Sequence, residues 1–210
     1  TVSFALDGLT AGASEALSIT RKLNEVVWEL EPVKLGRLNY RRLDDLGCGG
    51  LPARRFVNRG RYSPTQQTAL VDAIEQLRPA QGCSEVLQLA AALESEVETR
   101  YIVNALRLMQ HFHANSGGNR NIRLVGTGLM LETADNEWVL PLPVDYLLWT
   151  ASTRGYFDQQ AFRKVRKTLL VSGKASPIAM RELTQRGWSI VLDVPYDGAP
   201  AYADGPLAGP

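Results

Sequence analysis

Hydrophobic positions recur at helical spacing through the earlier part of the chain and gather into short strand-like runs later. Val2–Leu6 reads as a short strand. Ser14 is placed to cap a helix running to about Glu31, with Ala16, Leu17, Leu23, Val26, Val27 and Leu30 on one face and Pro32 as its stop. Val33–Tyr40 reads as extended, and Gly47, Gly49, Gly50 and Pro52 make the following stretch a loop.

Three helices with clear start signals come next. Ser63-Pro64-Thr65-Gln66 combines an N-cap serine, a first-turn proline and a capping-box glutamine, and Leu70, Ile74 and Leu77 form the buried stripe before Pro79. Ser84 caps a second helix through about Leu93. Ser95-Glu96-Val97-Glu98 opens a long third helix to about His113, with Ile102, Val103, Leu106 and Met109 facing the core.

Ile122–Glu132 and Glu137–Leu142 read as strands joined by a turn at Thr133-Ala134-Asp135-Asn136. Pro141 and Pro143 end the second strand or place it at an edge. Val144–Thr150 reads as a helical turn, and Asp158 as the cap of a helix through about Lys167. Thr168–Ser172 is a strand, Ser176-Pro177 opens a short helix that Gly187 ends, and Trp188–Val194 is a second strand. Strand, short helix and strand in so short a span predict a βαβ unit with parallel strands. The expected fold is therefore α+β (mixed), with a helical middle packed on a small sheet formed by a hairpin and the C-terminal βαβ unit. Residues 1–194 are expected to form one globular domain, and the Pro/Gly/Ala-rich residues 195–210 a flexible tail.

Composition adds bounds. The chain has 210 residues, of which 45% are hydrophobic and 21% charged, an ordinary balance for a globular domain. No apolar run approaches the ~20 residues of a membrane-spanning helix. A start at Thr1 rather than Met is expected of a chain whose N-terminal piece was removed, as a cleaved signal peptide would be, or left out. Cys48 and Cys83 both lie in glycine-flanked loops, and the pair is expected to form a disulfide. Closing so long a loop would stabilise the fold by roughly 4 kcal/mol. A bridge implies an oxidising compartment, periplasmic or extracellular, with two free thiols in the cytoplasm as the alternative.

Charge changes the picture most. The net charge is only +1, yet the segment Gly36–Tyr62 holds seven arginines against Asp44 and Asp45, a formal +5. Arg54, Arg55, Arg59 and Arg61 lie beyond its glycines, beside Phe56 and Tyr62, and are the candidate ligand-binding residues there. The competing reading is that the arginines pair with an acidic stretch holding Glu85, Glu94, Glu96 and Glu98, which a Cys48–Cys83 bond would draw close. A second basic region, Arg154–Arg186, carries a formal +6. In it Ser172, Lys174 and Ser176 sit on a strand-to-helix connection where free N–H groups and the helix dipole favour an anion. That connection lacks the glycine a Walker A loop requires, since position 168 is threonine.

His111-Phe112-His113 falls at a helix end, where side chains two apart diverge, so neither a metal site nor a cofactor is expected. No nucleophile motif is present. The reading that results is a non-catalytic binding or interaction domain of an exported bacterial protein. It contacts a protein partner or anionic ligand through the arginine segment. An enzyme acting on a phosphate- or carboxylate-bearing substrate is one alternative. A nucleic-acid binder is another, and the near-zero net charge argues against it.

Overall fold

The computed structural model describes residues 27, 29–58, 62–116, 121–163 and 165–196. The strand expected at Val2–Leu6, nearly all of the helix expected from Ser14, Arg59, Arg61 and the chain after Tyr196 lie outside them. Among the described residues are seven α-helices, a mixed five-stranded sheet and a small two-stranded sheet, an α+β mixed fold.

The chain from Pro32 is helical, not extended: α1 runs Pro32–Asp45. Pro32 occupies the first turn, where its missing N–H costs nothing, so it starts a helix here. The buried face of α1 is Leu35, Asn39 and Leu43, one turn apart. Asn39 is fully buried, and its Nδ2 donates to Gln67 Oε1 at 3.2 Å and to Thr68 Oγ1 at 3.0 Å. A polar residue in the centre of that stripe hides the helix from a hydrophobic reading. Much of the expected loop is helical too, since α2 spans Leu51–Val57 with Phe56 wholly buried. One such side chain removed from water is worth about 1.5–3 kcal/mol.

The next three helices follow their start signals. α3 (Pro64–Leu77) carries the Ser63/Gln66 capping box, with Gln66 N donating to Ser63 Oγ at 3.2 Å. α4 (Cys83–Ala92) begins one residue before the expected cap, after Gly82 in the left-handed region at φ 92°. α5 (Glu96–Ser116) opens on the Ser95/Glu98 box, with Ser95 N donating to Glu98 Oε2 at 2.9 Å. Its residues Ile102, Val103, Leu106 and Met109 are fully buried.

The single strand expected over Ile122–Glu132 is instead a tight hairpin. β1 (Asn121–Val125) and β2 (Gly128–Glu132) pair antiparallel around Gly126-Thr127, with Gly126 at φ 60°. The expected turn at Thr133–Asn136 joins β2 to β3 (Glu137–Leu142), and Thr133 N donates to Glu137 O at 2.9 Å. β2 pairs only with Trp138 and Val139, so Pro141 lies where β3 has a neighbour on its β5 side alone. The helical turn expected after Pro143 is a short strand, β4 (Tyr146–Leu147). The helix expected from Asp158 is displaced as well. α6 (Ala151–Phe157) ends just before that residue, capped at its start by Thr150 and Thr153, and a short 3-10 turn, Gln160–Phe162, follows.

The C-terminal unit has the expected βαβ form. β5 (Arg166–Val171) leads through β6 (Lys174–Ala175) and α7 (Pro177–Gln185) to β7 (Trp188–Val191). The large sheet is ordered β1-β2-β3-β5-β7, with β3, β5 and β7 parallel, and β4 pairs with β6. α5 covers β3 and β2, α3 lies on α5, α1 on α3, and α2 on α4. One contiguous core joins these layers. α4 also contacts β1, so α2 is one helix removed from the sheet and α1, stacked on α3, is two.

Candidate functional site

Cys48 and Cys83 form a disulfide, with Cα atoms 5.7 Å apart and both residues buried. It pins the loop between α1 and α2 to the first residue of α4 and so limits how the two outer helices can open. Among the described residues, no arginine of the segment pairs with Glu85 or Glu98. Arg42 pairs instead with Asp72, at 3.1 Å, and with Glu75, both on α3. It is the only described arginine of Gly36–Tyr62 with a carboxylate partner among the described residues.

Arg37, Arg41 and Arg54 converge on the other side of α1. Together with Val33, Gly36, Tyr40 and Val57 they line a groove of about 740 Å³ between α1 and α2. Its geometry follows from helix periodicity: Val33, Gly36, Arg37, Tyr40 and Arg41 share one face of α1, which adjoins the buried Leu35, Asn39 and Leu43 stripe on its Gly36 side. Gly36 lets α2 approach closely, because a Cβ there would stand 3.3 Å from Val57 Cγ1. The floor is held in place by Tyr40, whose hydroxyl accepts from Gly50 N and from Arg54 Nε, each at 3.4 Å. The Arg54 guanidinium also lies 5.7 Å from the centre of the Tyr40 ring. Bonding to Tyr40, and secondarily charge on Tyr40 and Asp44, raises the Arg54 pKa above its ordinary value. Arginine is charged throughout the physiological range, so the guanidinium brings a permanent cation to this groove.

The other sequence candidates are placed elsewhere. Arg55 faces a separate hollow between α2 and α4, beside Pro52, Asn58 and Gln88. The Ser172–Ser176 connection is engaged within the fold. Ser172 Oγ donates to Val144 O at 3.0 Å, and the Gly173, Lys174 and Ser176 N–H groups donate to Val144, Asp145 and Leu147 carbonyls at 2.9–3.0 Å. Lys174 pairs with Asp193 at 2.6 Å, and Ser176 caps α7 by accepting from Ala179 N at 3.1 Å. None of these residues lines the α1–α2 groove. His111 and His113 lie in the last two turns of α5, and no group of three or more His, Cys, Asp and Glu side chains placed to hold a metal occurs among the described residues.

Arg37, Arg41, Tyr40 and Val33 were not among the candidates read from the sequence. Their signal is the helical spacing of alternating apolar and basic residues, visible once Pro32 is taken as a helix start. Among the described residues no helix is long and apolar enough to cross a membrane. Compared with protein-family models, curated proteins and solved structures, the chain matches none.

Proposed function

We propose that this chain is a non-catalytic interaction domain that engages an anionic partner through the groove between α1 and α2. The observation that carries the reading is the separation of neighbouring arginines. Arg42 is consumed by Asp72 and Glu75, while Arg37, Arg41 and Arg54 surround an open groove with no carboxylate partner among the described residues. Unpaired guanidiniums at a partly apolar surface are suited to carboxylate or phosphate, which they bind through paired N–H donors. The buried Cys48–Cys83 bond supports placing this domain in an oxidising compartment, the periplasm or the cell exterior.

Poly-glutamate binding, followed by fluorescence anisotropy at low and at physiological salt, tests the reading. Reversing Arg37, Arg41 and Arg54 to glutamate is expected to weaken binding by at least about tenfold. Reversing Arg163 and Lys174, outside the groove, is expected to change it little. Equal losses from both sets would remove the groove as the site.

A further inference from the structure

The groove presents two chemistries in one strip, and together they define the kind of partner it fits. Val33, Gly36, Arg37, Tyr40 and Arg41 follow one another along α1 at spacings of three, one, three and one. This stretch of helix rises about 12 Å, or roughly two turns. Val33 is 66% exposed, so the apolar part of the strip faces solvent in the isolated chain. A small free anion would satisfy the guanidiniums and leave that floor wet. A nucleic-acid strand offers no aliphatic anchor for the exposed Val33. Both walls are helices whose backbone groups are bonded internally, so the groove has no strand edge to pair with an extended peptide.

Resting on the anionic-partner reading above, we propose that the groove takes a helical segment of a partner protein with an acidic and aliphatic face. An aliphatic side chain packs against the exposed Val33 in the groove that Val57 also lines. Carboxylates one turn away on the partner helix reach Arg37, Arg41 and Arg54 and accept paired N–H bonds. Tyr40 is already fixed by Arg54 and the Gly50 N–H, so this part of the floor needs no reordering when the partner arrives. Charge complementarity selects the acidic helix, and the exposed apolar strip selects one with an anchor.

Three labelled probes test this on the full chain. Two are helix-forming peptides of about 15 residues carrying glutamates one turn apart. The first has leucines on the same face, and the second has glutamine in their place. The third is single-stranded DNA. Burial of one leucine is worth about tenfold or more in affinity, so the leucine peptide is expected to bind at least that much more tightly than the glutamine peptide. Val33→Gln, at an exposed position, is expected to narrow that advantage. Equal binding of the two peptides would overturn the anchored-helix proposal and leave the anionic-partner reading standing. Tighter binding of the DNA would overturn the proposal in favour of nucleic acid. Failure of every acidic probe would remove both readings.

Discussion

The segments Gly36–Tyr62 and Arg154–Arg186 carry similar formal charge, +5 and +6, but the fold treats their cations in opposite ways. In the later region Arg166 pairs with Glu137, Lys174 with Asp193, Arg181 with Glu182, and Arg186 with both Asp158 and Glu182. Arg186 also lies over the Trp149 ring at 4.7 Å. Lys167 is buried against Trp188, where loss of water lowers its pKa. Among the described arginines of the earlier region Arg42 alone has a carboxylate partner, and three others share a groove. A basic stretch keeps open guanidiniums when the tertiary fold withholds acids from it. The number of cations does not decide this.

The largest effect that separates the two regions comes from the disulfide. Replacing Cys48 and Cys83 together by serine, or reducing the bond, is expected to cost about 4 kcal/mol of stability, from the loop of sequence separation 35 that the bond closes. The denaturation midpoint reads the loss. Native-state hydrogen exchange is expected to show α1 and α2 opening more readily while β5 and β7 keep their protection. Uniform loss of protection would mean that the bond stabilises the whole fold and does not specifically hold the groove.

How much of this difference was legible in the sequence follows from where its causes lie. The βαβ unit is written in local signals: a proline after an N-cap serine, and Gly187 at φ 75° after the helix. The capping boxes of α3 and α5 are local in the same sense. α1 is not, because Pro32 reads equally well as a stop or a start, and because Asn39 interrupts the stripe that it shares with Leu35 and Leu43. The groove was less legible still. Arg41 and Arg42 are adjacent in sequence, but one helical step of about 100° turns one toward the groove and the other toward α3. The acids that receive Arg42 lie 30 and 33 residues away, so no local pattern announces them.

That divergence sets the next test. Arg42→Ala leaves the Asp72 and Glu75 carboxylates, which are 18% and 38% exposed, facing a gap. Allowing for partial solvent screening, the expected loss is about 1–2 kcal/mol. Arg37→Ala, Arg41→Ala and Arg54→Ala are each expected to change stability by no more than about 0.5 kcal/mol. Their effect is expected in poly-glutamate binding instead. A denaturant series on the four single variants checks this. A cost for Arg37→Ala comparable with that of Arg42→Ala would make the groove arginines structural and erase the contrast between the regions.

The smallest expected effect tests whether the later region really is self-satisfied. Asp158 is held below its ordinary pKa chiefly by the hydrogen bond from Arg186 Nε, at 2.8 Å, and then by the charges of Arg186, Arg154 and Arg163. A carboxyl whose pKa is lower in the folded state than in the unfolded one contributes stability above its unfolded pKa. That contribution is lost as pH falls through the folded value. The pair is exposed and screened by solvent, so the contribution is small. Asp158→Asn is therefore expected to melt slightly below the unaltered protein at neutral pH, and the gap is expected to close as the solution is made acid. Poly-glutamate binding is expected to stay unchanged, because removing this acid frees Arg186 only where Glu182 still holds it at 2.8 Å. A gain in poly-glutamate binding on Asp158→Asn would show that the later region is kept from binding anions by this one acid, so that the two regions differ by a single residue and not by their whole arrangement of partners.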